Sequence, residues 1–131
     1  MQTQPRPIVL LAVALAGSNV AYLGPMTLLA GSRTAGAPPS TTMATLGAAL
    51  VVAALGASIA LGSRLEPDVP GSDFQRRLVL AMALAEVSAV LGLVWFFLGG
   101  AMPWAAGCVL ATITVDAVFH VPRALAWRGP S

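Results

Sequence analysis

Four long apolar runs constrain this chain more than any other feature of its sequence. They cover residues 7–30, 42–62, 78–101 and 103–121 of the 131 residues, and each is close to the roughly 20 residues that cross the hydrocarbon core of a bilayer. Because lipid offers no hydrogen bonds to backbone amides, a membrane span has to satisfy them internally. The runs lack the alternation of a membrane β-strand, so each is predicted to be a transmembrane helix.

The composition leaves room for one membrane domain, residues 1–131, and excludes several functions. Apolar residues make up 57% of the chain and charged residues 9%, against about 25% charged residues in an ordinary soluble domain. A net charge of +2 predicts no nucleic-acid partner, and the single cysteine excludes an intramolecular disulfide. The sequence has no nucleophile–base arrangement, phosphate loop or zinc motif, so we expect no enzyme, catalytic residue, metal site or cofactor.

The connections between the runs predict an all-α fold, an integral membrane bundle of four antiparallel helices. The turn near residues 99–103 is short, whereas the central loop at 63–77 holds most of the charge, and short turns join antiparallel neighbours. The first and third runs are weakly similar, AVALAGSNVAYLG against AMALAEVSAVLG. That similarity indicates either two duplicated hairpins or only a shared alanine-rich composition.

The arginines predict which side of the membrane each connection faces. Six of the seven lie at the termini or in the central loop of a four-span layout, and only Arg33 lies on the other side. By the positive-inside rule, both termini and the central loop are expected in the cytoplasm. We expect the membrane to be the bacterial inner membrane.

The first run also has features of a cleaved secretory signal. The triplet Ala-Leu-Ala at residues 14–16 precedes Gly17 and is typical of a cleavage site. The apolar character continues to Ala30, however, which is longer than the core of a signal. We therefore expect a retained span, with cleavage as the alternative.

Glu86 is the one charged residue between Leu78 and Leu98. It follows Arg76 by ten residues, roughly 15 Å along a helix, and is therefore expected at mid-membrane. An ionised carboxylate costs at least about 3 kcal/mol there, so Glu86 is expected to face protein or a water-filled cavity and to bind a proton or a cation. The alternative is a protonated carboxyl that only links helices through hydrogen bonds.

The residues around Glu86 form a motif. The segment ALAEVSAVLGLV at 83–94 contains small residues, the glutamate and, six residues later, Gly92-Leu93-Val94. It resembles the carboxylate-bearing helix of the rotary ATPase proteolipids, the c and K subunits. The resemblance implies that Glu86 binds a transported proton or sodium ion. The flanking first and fourth spans depart from that family and favour a proteolipid-like protein with a separate role over a subunit of the enzyme. The partners we expect are further copies of the chain, in a homo-oligomer, or other membrane subunits.

A polar stripe is predicted along the fourth run. Its members recur every three or four residues and so share one helical face: Cys108, Thr112, Asp116, His120 and Arg123. Asp116 and His120 are expected to form a hydrogen-bonded pair, and Asp116 is expected within about one helical turn of the depth of Glu86. Thr112, Asp116 and His120, with Asn19 from the first run, are therefore candidates for a polar pathway to Glu86. The alternative is a helix end that rises into the lipid headgroups.

Two functions fit these residues. In the first, a small multi-spanning protein binds or translocates a proton or cation at Glu86, with the lipid bilayer as its surroundings. In the second, the protein is a non-transporting membrane subunit or scaffold. Glu86 and Asn19 then serve as interhelical hydrogen-bonding residues.

Overall fold

The computed structural model describes residues 6–31 and 39–128, and in these ranges it contains helices and no strand. The helices are α1 (Arg6–Ser18), α2 (Val20–Ala30), α3 (Thr41–Ser63), α4 (Gly71–Phe97), α5 (Met102–Val115), a π-helical segment (Asp116–His120) and α6 (Val121–Ala126). They form four spans long and apolar enough to cross a membrane, namely α1–α2, α3, α4 and α5–α6. The predicted all-α membrane fold with four spans is confirmed. Arg33, which contributes to the predicted orientation, lies outside the described residues.

The third span begins earlier in the chain than the apolar run that predicted it. Helix α4 starts at Gly71, inside the segment predicted as the central loop, and its first two turns carry the exposed residues Asp73, Arg76 and Arg77. A carboxylate in the first turn of a helix interacts favourably with the partial positive charge there. Hydropathy marks the apolar part of a helix, whereas the charged first turns of α4 extend beyond that part.

The turn between α4 and α5 depends on one glycine. Gly99 has φ of 98°, a conformation that residues with a Cβ rarely adopt and that commonly ends a helix. Pro103 then lies in the first turn of α5, where its missing N–H is not needed. The third and fourth spans are therefore joined tightly and run antiparallel.

The first span is interrupted at its centre by two polar side chains. The Ser18 hydroxyl and the Asn19 amide both donate to the Leu15 carbonyl, at 2.7 and 3.3 Å, and such bonds compete with the backbone pattern of a helix. The Tyr22 N–H bonds the Asn19 carbonyl at 3.1 Å, a three-residue spacing tighter than that of an α-helix. The break between α1 and α2 therefore lies at Asn19.

Helix α4 is the centre of the bundle. It packs against α3 on one side and α5 on the other, and the first span lies across α4, α5 and α6. The buried apolar residues form two clusters. The terminal cluster contains Ile8, Ala12, Leu65, Phe74, Leu78, Met82 and Ala124, and the turn cluster contains Met26, Ala89, Phe96, Ala105 and Val109.

The C-terminal segment is tied to the central loop. The Trp127 indole donates to the Val69 carbonyl at 3.0 Å, and the Arg128 N–H donates to the Pro67 carbonyl at 3.1 Å. The ring of Trp127 also lies 5.9 Å from that of Phe74. These contacts bring the central loop and the C-terminal segment to the same end of the bundle, here called the arginine end.

Candidate functional site

Five polar residues come together at mid-bundle and are called the polar layer: Asn19, Ser58, Glu86, Asp116 and His120. All except Glu86, which is half-buried, have 0% exposure. On the first span, Asn19 lies between Ala12 of the terminal cluster and Met26 of the turn cluster. Glu86 and Asp116 likewise lie between members of the two clusters on their own spans. Apolar packing therefore encloses the layer on both sides.

Proline produces the local geometry of the fourth span at this layer. Pro122 lacks an N–H, and its ring clashes with the carbonyl four residues earlier in a regular α-helix. The chain widens into the π-helical segment just before it, where the Val121 N–H bonds the Asp116 carbonyl. Such segments are frequent at functional sites. Asp116 and His120 are its first and last residues.

Asn19 crosses from the first span to the fourth. Its Nδ2 donates to Asp116 Oδ2 at 3.3 Å and to the Leu15 carbonyl at 3.3 Å, which uses both amide hydrogens. The predicted interhelical hydrogen bond of Asn19 is present. The other oxygens of this pair, Asn19 Oδ1 and Asp116 Oδ1, are buried with no hydrogen-bond partner among the described residues.

The predicted hydrogen bond between Asp116 and His120 is absent, and this expectation was wrong. His120 Nε2 lies 3.9 Å from Asp116 Oδ1, beyond hydrogen-bond range. It lies instead 2.8 Å from Ser58 Oγ on the second span. Ser58 therefore takes the position beside the ring that the sequence had assigned to Asp116.

The Ser58 hydroxyl determines which nitrogen of His120 carries hydrogen. Ser58 donates to the Ala81 carbonyl at 2.6 Å, and a hydroxyl has one hydrogen to donate. The contact with His120 is therefore one in which Nε2–H donates and Ser58 Oγ accepts. In the neutral ring Nδ1 is then a bare acceptor, buried with no partner among the residues described.

Glu86 faces the first span at the border of the layer. Its Oε1 lies 3.3 Å from the Ser18 hydroxyl, and its carboxyl interacts electrostatically with that of Asp116. The two carboxyls are thus near enough to interact, and their similar depth in a membrane stays a prediction. The structure brings Asn19, Glu86, Asp116 and His120 into one layer. Asp116 and His120 are both fully buried among the helices.

Thr112 lies outside the layer although it was predicted in the same stripe. Its one hydroxyl hydrogen is shared between the Ala85 carbonyl on α4, at 2.9 Å, and the Cys108 carbonyl, at 3.1 Å. Ser88 donates to the Cys108 carbonyl at 3.3 Å. These bonds fasten the third span to the fourth and leave Thr112 no free hydrogen for a pathway.

Sequence reasoning missed Ser58, whose only signal is weak. It is the single polar side chain between Thr45 and Ser63 in an otherwise apolar helix, and serine is common at packed membrane helix interfaces.

The residues that the structure describes contain no group of three His, Cys, Asp or Glu side chains that could hold a metal ion. Comparison with protein-family models, with curated proteins and with solved structures found no match to this chain.

Proposed function

We propose that this small membrane protein binds and exchanges a proton, or a small cation in its place, at the carboxyls of Glu86 and Asp116. The observation that carries the proposal is the pair of buried acceptors, Asn19 Oδ1 and Asp116 Oδ1, with no donor among the described residues. Buried polar atoms in proteins are nearly always hydrogen-bonded. A proton on Asp116, or a bound cation, supplies what these oxygens lack.

The contact between Ser18 and Glu86 supports a protonated Glu86. The Ser18 hydroxyl is 2.7 Å from the Leu15 carbonyl and 3.3 Å from Glu86 Oε1, and it has one hydrogen. An ionised Glu86 has to compete with the carbonyl for that hydrogen. A protonated Glu86 can instead donate to Ser18 while Ser18 donates to Leu15.

The energetics of the bilayer favour the same state. An ionised carboxylate at mid-membrane costs about 3 kcal/mol on insertion scales, and two neighbouring carboxylates also repel each other. Glu86 and Asp116 interact with each other, so one proton in the layer removes the repulsion, and a second proton also removes the cost of an ionised carboxylate. The resemblance of residues 83–94 to the rotary ATPase proteolipids agrees with an exchangeable proton or sodium ion at Glu86. Partners from that resemblance would be further copies of this chain or other membrane subunits.

A scaffold function is the second candidate, and the interhelical hydrogen bonds favour it. Asn19 links the first and fourth spans, Ser58 links the second and third, and Thr112 links the third and fourth. In this case the layer holds the spans in register and no proton is exchanged. Glu86 is then only the partner of Ser18.

Reaction with a hydrophobic carbodiimide separates these functions. Such reagents modify protonated carboxyls inside membranes that they can reach. The purified protein in lipid should therefore be labelled at the half-buried Glu86 and not at the fully buried Asp116, and labelling should slow as the pH rises. Glu86→Gln should remove the label while assembly stays normal, because the amide N–H can donate to Ser18 as the protonated carboxyl does. Peptide mass spectrometry locates the modified residue.

The matched control is Glu66→Gln, in the exposed connection between α3 and α4, which should leave the labelling unchanged. If sodium slows the reaction at constant pH, sodium competes with the proton for Glu86. If sodium has no effect, the exchanged ion is the proton. If Glu86 stays unlabelled at every pH, ion exchange is contradicted and the scaffold function is the remaining candidate.

We also propose that the arginine end faces the cytoplasm of a bacterial cell, in the inner membrane. The arginine end carries Arg64, Arg76, Arg77, Arg123 and Arg128, and the hydrogen bonds of Trp127 and Arg128 hold the C-terminal segment there beside the central loop. Basic residues in short connections remain on the cytoplasmic side.

Cysteine labelling tests this orientation. Cys108 is 4% exposed and should resist a membrane-impermeant maleimide, so an added cysteine can be followed alone. In intact cells Ala101→Cys, in the exposed turn before α5, should be labelled, whereas Ser72→Cys, exposed at the start of α4, should react only after the membrane is opened. The reverse pattern would invert the topology.

A further inference from the structure

We infer that the His120 ring is a proton relay between Asp116 and the arginine end of the bundle. The inference rests on the proposed proton exchange at the polar layer and adds the route to it. It depends on three features of the ring: a fixed tautomer, an unused nitrogen that faces the arginine end, and a carboxyl oxygen beside the other nitrogen.

The tautomer is fixed by Ser58. Because the Ser58 hydrogen is committed to the Ala81 carbonyl at 2.6 Å, the contact of 2.8 Å with His120 places hydrogen on Nε2. The same nitrogen is the one that lies 3.9 Å from Asp116 Oδ1. The protonated edge of the ring therefore faces both Ser58 and a carboxyl oxygen that has no other partner among the described residues.

The Nδ1 edge of the His120 ring packs against the end of α3, the second span. A Cβ built at Gly62 would lie 2.8 Å from Nδ1 and 2.7 Å from Cε1 of His120, so only glycine admits the ring at this position. Gly62 is the next-to-last residue of α3. The half-buried Arg123 donates to its carbonyl. Nδ1 is thus the edge of the ring nearer the central loop and the water at that end.

The relay step conserves every proton. Nδ1 takes a proton from water at the arginine end, and the ring becomes an imidazolium. The Nε2–H bond then breaks, its proton passes to Asp116 Oδ1, and the electron pair returns to the ring, which is left neutral with hydrogen on Nδ1. The reverse steps release the proton and restore the starting tautomer. The net result is equilibration of Asp116 with the arginine end.

The step needs two small movements and a suitable set of charges. Water from the arginine end has to reach Nδ1, which is buried at rest, and the ring has to approach Asp116. The separation of 3.9 Å between Nε2 and Oδ1 has to shorten by roughly 1 Å to reach hydrogen-bond range. The charged groups that act on this region are Asp116 and Arg123 from the same span and Glu86 from α4. From α3 the contact is the uncharged Ser58.

Nitrogen NMR tests the resting tautomer directly. The chain contains one histidine, so a ¹⁵N-histidine label in the protein in lipid reports on this ring alone. We expect a protonated Nε2 and a bare Nδ1 at neutral pH. A resting ring with hydrogen on Nδ1 would overturn the relay, because Nδ1 would then have no lone pair with which to accept a proton.

Two buried serines provide a matched pair of variants. Ser58→Ala removes the acceptor at Nε2 and should give a mixture of tautomers. Ser88→Ala removes a buried hydroxyl that donates to the Cys108 carbonyl and should leave the NMR spectrum of the ring unchanged. If both variants retain the Nε2–H tautomer, Ser58 is not what fixes it, and the inference is overturned.

Transfer itself is measured by infrared spectroscopy after a pH jump on the arginine side of oriented vesicles. Asp116→Asn identifies the band of the Asp116 carboxyl. In His120→Gln the protonation of Asp116 should slow by about tenfold or more, whereas Ser88→Ala should keep the wild-type rate. An unchanged rate in His120→Gln, with pH-dependent carbodiimide labelling of Glu86 retained, would overturn the relay alone. Loss of that labelling in the wild-type protein would instead overturn the proposed function.

Discussion

Replacement of Gly92 by valine should destabilise the folded bundle by about 3 kcal/mol. A Cβ at Gly92 would lie 2.7 Å from Cys108 Cβ and 2.9 Å from the Ala105 carbonyl oxygen. A flexible side chain could move away, but the contact is with the backbone and the first side-chain atom of α5. The third and fourth spans would have to separate, which also disturbs the hydrogen bonds of Ser88 and Thr112 to the opposite helix. The measurement is the free energy of unfolding in mixed detergent micelles.

Gly107→Val on α5 is the matched control. Gly107 is exposed, and a Cβ at this position would meet nothing within 4 Å among the described residues. Its replacement should change the unfolding free energy by less than about 0.5 kcal/mol. Equal effects of the two variants would mean that α4 and α5 do not pack closely at Gly92.

The second large effect is expected for Asn19→Leu, at about 3 kcal/mol. Asn19 donates to Asp116 Oδ2 at 3.3 Å, the hydrogen bond that the described structure gives to this buried carboxyl. Leucine removes the donor and leaves a fully buried acid with no partner there. The loss of a buried partner costs more than the hydrogen bond itself contributes, because the remaining polar group stays desolvated.

A double-mutant cycle tests this explanation. If the cost of Asn19→Leu comes from the stranded carboxyl, Asp116→Leu in the same chain should restore most of the stability, since two apolar side chains of similar shape replace the polar pair. The double variant should keep the fold and lose the exchange chemistry assigned to Asp116. Purely additive losses would mean that the two residues do not interact.

The position of the polar layer relates stability to the proposed chemistry. The terminal and turn clusters lie toward the two ends of the bundle and separate the polar layer from the water there. Polar groups enclosed in this way interact strongly because little solvent screens them. The same enclosure makes each missing partner expensive, which is why a protein that only needed stability would do better with leucine at Asn19 and Asp116.

The sequence by itself determined the features that depend on hydrophobicity and helical period. Four runs of apolar residues predict four helices because lipid cannot hydrogen-bond the backbone. A period near four residues predicts that Asp116 and His120 share a face. The depth of Glu86, which stays a prediction, is inferred from its distance along the helix to Arg76. None of these inferences needs to know which helix lies beside which.

Only the tertiary structure decided which partner each polar side chain forms a hydrogen bond with. Ser58 and His120 are 62 positions apart, and Asn19 and Asp116 are 97 apart. The sequence favoured Asp116 as the partner of His120 because the two are close along one helix. The ring bonds Ser58 instead, because α3 approaches the fourth span closely enough for Gly62 to contact the ring. Such choices depend on how four nearly uniform apolar helices pack, and hydropathy, which is similar on all their faces, does not encode that packing.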